Sequence, residues 1–166
     1  PHLGKKETDP AVVVIDEAGK FVIPMLSGHL GGANSLAGHL ATALGAIPVL
    51  TTASDARQTL AVDLLGRELG WKFEATHDEI VRCSAAVVND EAVALVQEAG
   101  SEDWWRGHAN GRSGPVAANI QRFARLEEVD CDKFAAVLWI SQRDMPADFA
   151  AQLAGKRVIY RPSDKA

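Results

Sequence analysis

The residues best suited to chemistry lie in one short stretch, Ser27-Gly28-His29-Leu30-Gly31-Gly32-Ala33-Asn34. It leaves an apolar run and enters a helix-like pattern. A glycine-rich turn opening a helix presents free backbone N–H groups and the positive end of the helix dipole, which is an anion site in general form. His29 adds an imidazole that is neutral near pH 7 and able to take a proton from water. A second polar corner follows at Thr51, Thr52 and Asp55. The familiar versions of such a turn do not fit. The dinucleotide fingerprint needs G-x-G-x-x-G, but the glycines stand at 28, 31 and 32. A P-loop needs a lysine before its Ser/Thr, and none occurs between Lys20 and Lys72. A nucleophile elbow needs glycines two residues either side of the serine, where Ser27 has Met25 and His29.

The flanking pattern says what must position these groups. Residues 11–15 and 21–26 are apolar and rich in β-branched side chains, which predicts two strands joined by a turn at Gly19 and paired antiparallel. Pro24 cannot donate to a ladder, so the second strand is expected at an edge or with a bulge. Ala33, Leu36, Ala37, Leu40 and Leu44 recur at helical spacing, and Gly45 follows as a stop. Residues 47–50 read as a strand. Strand, helix, strand is a βαβ unit, so the strands at 21–26 and 47–50 are expected parallel, with both polar corners on the carboxyl edge where ligands bind. A second helix is expected through Leu60, Leu64, Leu65 and Leu69. Further on, the pattern predicts a helix followed by a short strand within 79–88, strands at 92–97, 135–140 and 157–160, and a helix at 146–153.

The fold expected is a three-layer α/β protein with a mostly parallel open sheet, followed by a smaller α/β or α+β region. The division is drawn as residues 1–74 and 75–166. The opening Pro1 and the polar residues after it read as a connection inside a longer protein. The 166 residues are 47% apolar and 23% charged, which suits a packed core, and a net charge of −5 gives no basic face for nucleic acid. No apolar run approaches the ~20 residues a membrane helix needs. Cys83 and Cys131 stand far apart with no metal-ligand spacing, and are expected as buried reduced thiols of a cytoplasmic protein.

Taken in order, the run Asp9-Pro10 to Asp16-Glu17, then Phe21-Val22-Ile23-Pro24 with Leu26-Ser27-Gly28-His29 and Gly31-Gly32-Ala33-Asn34, then Pro48-Val49 with Thr51-Thr52-Ala53 and Asp55, resembles the N-terminal part of the cobalt-precorrin-5A hydrolase (CbiG) family. The likeness covers about residues 1–70; the rest is similar in position to the family's middle region. The resemblance implies a hydrolase of anaerobic cobalamin biosynthesis. It opens the δ-lactone of cobalt-precorrin-5A and releases acetaldehyde to give cobalt-precorrin-5B. It implies no cofactor, because the cobalt travels in the substrate, and no metal ligands in the protein. It implies a cobalt-precorrin as binding partner, with no nucleic acid and no membrane, and it admits self-association and contact with neighbouring pathway enzymes.

On that reading His29 and Asp55 are the catalytic candidates, and Ser27, Gly28, Gly31, Gly32, Asn34, Thr51 and Thr52 bind substrate. Plainer roles stand beside these. Ser27 can simply form the turn, and Asn34 can bond local backbone. Asp55 with Gln58 makes a capping box. His39 falls on a polar helix face and is expected exposed. Trp104 and Trp105, with Arg106, His108 and Arg112, can stack on a tetrapyrrole or sit buried under a loop. A non-catalytic tetrapyrrole-binding module, or a different nucleotide-binding α/β domain, are the competing readings.

Overall fold

A computed structural model describes residues 9–28, 31–50, 59–101 and 117–163. The chain divides into two compact units, Pro1–Gln58 and Thr59–Ala166. The division falls earlier than the one drawn from the sequence between residues 74 and 75, and Val62 and Leu65 are buried in the core of the second unit.

In the first unit β1 (Val12–Ile15) pairs antiparallel with β2 (Phe21–Leu26), and β2 pairs parallel with β3 (Ile47–Pro48). The hairpin turn is held by Asp16, whose carboxylate accepts from the N–H groups of Lys20 and Phe21, both at 2.6 Å. Pro24 sits in the central strand rather than at an edge. The expected bulge accommodates it, since the register slips between Val12 and Val13, and β3 is too short to need an N–H from position 24. Helix α1 (Ala33–Leu44) lies on one face of this sheet. Its buried stripe is Ala33, Asn34, Ala37 and Ala41, while Leu36 and Leu44 are exposed. Small side chains on the buried face let the helix axis lie close to Val13 and Val22. β3 ends at Pro48, two residues short of the expected strand.

The second unit is the larger one, and it holds the three-layer sheet. Among the described residues its strands are β4 (Lys72–Glu74), β5 (Val93–Gln97), β6 (Ile120–Phe123), β7 (Ala136–Ile140) and β8 (Arg157–Arg161), in the order β4-β8-β7-β5-β6. All are parallel except β4. Alternation along the strands sends Val93, Leu95, Leu138 and Tyr160 to one face, against α2 (His77–Val88). It sends Ala94, Val96, Trp139 and Ile159 to the other, against α3 (Ala147–Gln152) and the turns around Leu126 and Cys131. Helix α2 starts two residues before its expected position because Thr76 and Glu79 close a reciprocal capping box. It continues to Val88, so the short strand expected at the end of 79–88 is helix instead. The expected helix through Leu60–Leu69 is instead a series of turns ending in a 3-10 turn, Arg67–Leu69. Gly66 breaks it, taking φ 72° with the Trp71 ring packed where a side chain would stand. The hydroxyl of the buried Tyr160 donates to the Val62 carbonyl at 2.7 Å and ties this segment to the sheet. Both cysteines are free and buried. Burial pushes the Cys83 thiol up to about 12.

Candidate functional site

The parallel register of β2 and β3, Phe21 opposite Ile47 and Val22 opposite Pro48, sends both strands to the same edge of the sheet. Val49 extends the ladder by donating to the Val22 carbonyl at 2.9 Å. The glycine-rich turn departs from this edge after Leu26, and the chain leading to the threonine corner departs from it after Leu50.

The turn itself is wound back on its own strand. Ser27 takes a left-handed conformation, φ 57°, which is uncommon outside glycine. Its carbonyl accepts from the Ala33 N–H at 3.1 Å, and the Gly28 carbonyl accepts from the Asn34 N–H at 2.9 Å. Its hydroxyl donates to the Asp9 carbonyl at 2.9 Å. A Cβ on Gly31 would overlap the Ser27 Cβ and lie 2.9 Å from the Ser27 carbonyl oxygen, so only glycine lets the chain pass at that point. Gly32 caps α1 with φ 82° and no side-chain bond.

The structure therefore brings Ser27, Gly28, Gly31, Gly32 and Asn34 into one turn. Two of the N–H groups expected to face an anion, those of Ala33 and Asn34, are engaged by the turn's own carbonyls. The N–H groups of Gly31 and Gly32 are not engaged among the described residues, and they remain the available donors. Asn34 is 7% exposed, on the buried face of α1. His39 is exposed, as its helix face implied. His29, Thr51, Thr52 and Asp55 lie outside the described residues, as do Trp104, Trp105, Arg106, His108 and Arg112. Among the described residues no group of three or more His, Cys, Asp or Glu side chains is placed to hold a metal ion, and no helix is long and apolar enough to cross a membrane.

A second polar cluster, not singled out from the sequence, occupies the carboxyl edge of the five-stranded sheet. Arg143, just beyond β7, holds Glu98, just beyond β5, through Nε to Oε2 at 2.7 Å and Nη2 to Oε1 at 2.5 Å. It also reaches Glu127 at 2.8 Å. Burial pushes the Glu98 carboxyl up, but hydrogen bonds from Arg143, the Leu126 N–H and the Ser141 hydroxyl outweigh it and hold the group at about 2. Arg161 forms a forked pair with Glu74, at 2.9 and 3.0 Å, and donates to the Arg143 carbonyl at 2.6 Å. The Arg143 and Arg161 guanidinium carbons stand 5.5 and 5.8 Å from the centroid of the Trp139 ring. The sequence signal was available: each apolar run, at 93–96 and 136–140, is followed at once by polar and charged residues.

Residues 1–55 match the family model described as Cobalamin synthesis G N-terminal, and residues 60–162 match the one described as Cobalamin biosynthesis central region. The gap between the two matches coincides with the division at Gln58 and Thr59. Cobalt-precorrin-5A hydrolase of Priestia megaterium is 44% identical over 162 residues, covering 98% of this chain and 41% of that protein. Cobalt-precorrin-5A hydrolase of Salmonella typhimurium (strain LT2) is 36% identical over 138 residues, covering 79% of this chain and 37% of that protein. A solved structure of a cobalamin biosynthesis protein G homolog from Sulfolobus solfataricus is 24% identical with a TM-score of 0.44, covering 97% of this chain and 40% of that one. The chain thus spans about two-fifths of the length of the curated relatives it matches. With one family model covering the first unit and a second running through most of the other, the chain belongs to the cobalamin biosynthesis G (CbiG) family.

Proposed function

We propose that the chain carries the hydrolytic step performed on cobalt-precorrin-5A: opening of the δ-lactone and release of acetaldehyde to give cobalt-precorrin-5B. The observation that carries this reading is the parallel pairing of β2 and β3. It sends the glycine-rich turn and the chain leading to Thr51 and Thr52 off the same sheet edge, which is where α/β folds hold their ligands. The names of the two curated relatives support the choice of substrate.

In this reading water adds to the lactone carbonyl while His29 takes its proton. The oxyanion that forms is received by the Gly31 and Gly32 N–H groups, the two donors the turn leaves available. Collapse breaks the acyl C–O bond, giving a carboxylate and a free hydroxyl on the two-carbon branch. His29, once it has released the water's proton to solvent, or Asp55 then removes the hydroxyl proton. The C–C bond to the macrocycle breaks, acetaldehyde leaves, and the electron pair remains on the ring carbon, which takes up a proton. Thr51 and Thr52 donate to the substrate's peripheral carboxylates. Cobalt enters and leaves with the substrate, and the reaction belongs in the cytoplasm with the rest of a soluble pathway.

The test is acetaldehyde release. Purified protein incubated with cobalt-precorrin-5A should release acetaldehyde in step with loss of the lactone. Binding without release would instead favour a carrier of tetrapyrroles.

A further inference from the structure

The second unit has a crevice of its own, about 460 Å³ in volume, within the usual range for small-molecule sites. Its walls come from the residues that follow three parallel strands. Gln97 and Glu98 follow β5, Arg125 follows β6 closely, and Ser141, Gln142 and Arg143 follow β7. The strand order explains why an opening exists there. From β5 the chain moves to β6 on one side, then crosses back to β7 on the other, and continues outward to β8. The connections leaving β5 and β7 therefore diverge, and the loops above this pair of strands separate. This is the topological switch point of the sheet, where open parallel sheets bind ligands.

The charges around the crevice are not equivalent. Both Glu98 oxygens are engaged: Oε1 accepts from the Leu126 N–H at 2.9 Å and from Arg143, and Oε2 accepts from Arg143 Nε. The Glu98 charge is thus neutralised where it stands. Arg161, at the end of β8, is committed to Glu74. Arg125 is different: it is exposed, and its guanidinium makes no ion pair or hydrogen bond among the described residues. Arg143 uses Nε and Nη2 on the two glutamates, and its Nη1 donates no hydrogen bond among the described residues. Arg161 and the Ser141 hydroxyl pin the turn that carries Arg143, so its open face is fixed in position. One free guanidinium and one held guanidinium with an open edge line the same crevice. Planar donors of this kind recognise carboxylates.

We propose that this crevice is a carboxylate-binding site, in which Arg125 contacts the ligand's carboxylate and Arg143 presents its Nη1 edge as a second donor. The ligand class is an organic carboxylate, either a side chain of a tetrapyrrole or a small free polycarboxylate. The site is built from residues of the second unit and does not depend on the hydrolase reading.

Two probes distinguish the sources: uroporphyrin III, a tetrapyrrole polycarboxylate, and citrate. Binding of each is measured by calorimetry to the protein and to its Arg125→Ala and Arg125→Lys variants. Arg125 is exposed and unpaired, so the variants keep the fold, checked by an unchanged melting temperature. The expected result is that one or both probes bind, that Arg125→Ala weakens binding by about tenfold or more, and that Arg125→Lys weakens it less. Dependence seen with uroporphyrin alone assigns the site to a tetrapyrrole; dependence seen with citrate also assigns it to free carboxylates. No binding of either probe, or binding unchanged in Arg125→Ala, overturns the proposal. Arg125-dependent binding in a protein that releases no acetaldehyde would sustain this site while removing the hydrolase reading.

Discussion

Gly31 passes so close to Ser27 that a methyl group on it would occupy the space of the Ser27 Cβ. That contact closes the turn that carries the Gly31 and Gly32 N–H groups. Gly31→Ala must push the two segments apart. Overpacking of this kind costs about 1–3 kcal/mol, so the melting temperature of the variant falls. Turnover falls further than stability alone explains, because the two donors lose their position. Circular dichroism melts and acetaldehyde assays on the same preparation check both parts. Unchanged turnover would show that the turn takes no part in catalysis.

Ser27 sits in a left-handed conformation and its hydroxyl is engaged with the Asp9 carbonyl. Strain of this type is worth on the order of 1 kcal/mol, and so is the hydrogen bond. Ser27→Gly relieves the first and loses the second, so its stability stays close to wild type. Ser27→Ala loses the bond and keeps the strain, so it is the less stable variant. Both should retain turnover within a few-fold, since the hydroxyl serves the turn. Abolished turnover in Ser27→Ala, with the fold intact, would make Ser27 the nucleophile.

Glu98 stabilises the second unit through its charged form. Its carboxyl is held at about 2 in the folded protein, against ~4.3 for a free glutamate. The folded value is the lower one, so the contribution is full above pH ~4.3 and disappears as pH falls toward 2. Glu98→Gln should destabilise the protein at pH 7 by about 1–3 kcal/mol, the usual cost of losing charge-assisted hydrogen bonds. The gap between variant and wild type should narrow on acidification through that window. Denaturant melts at pH 7, 4 and 3 measure it, and a gap independent of pH would contradict the ion pair's role.

The central strands were legible because they are buried on both faces: Val93-Ala94-Leu95-Val96 and Ala136 to Ile140 are continuous apolar runs. β4 and β6 were not, and the strand order gives the reason. They are the two edges of the sheet, where Lys72, Glu74, Gln121 and Arg122 meet solvent and interrupt any apolar pattern. The leucines at 60, 64, 65 and 69 imitate a helix by their spacing, but only Leu65 is buried and Leu69 is exposed, so they do not form one packed face. Gly66, required by the Trp71 ring, was the discriminating residue. The glycine-rich turn could be read from its composition, but its internal bonding could not. Nothing local predicts that Ser27 and Gly28 carbonyls take the Ala33 and Asn34 N–H groups. The crevice above β5 and β7 depends on strand order, which non-adjacent segments decide.

The most direct test of the proposed chemistry is a single-turnover measurement of acetaldehyde release from cobalt-precorrin-5A by wild type and His29→Ala, across pH 5 to 9. The account predicts that wild type loses rate as the imidazole is protonated at acid pH. It predicts that His29→Ala is slower by about 100-fold or more and has lost that acid limb, with substrate binding retained. Equal rates and equal pH profiles in the two proteins would contradict it.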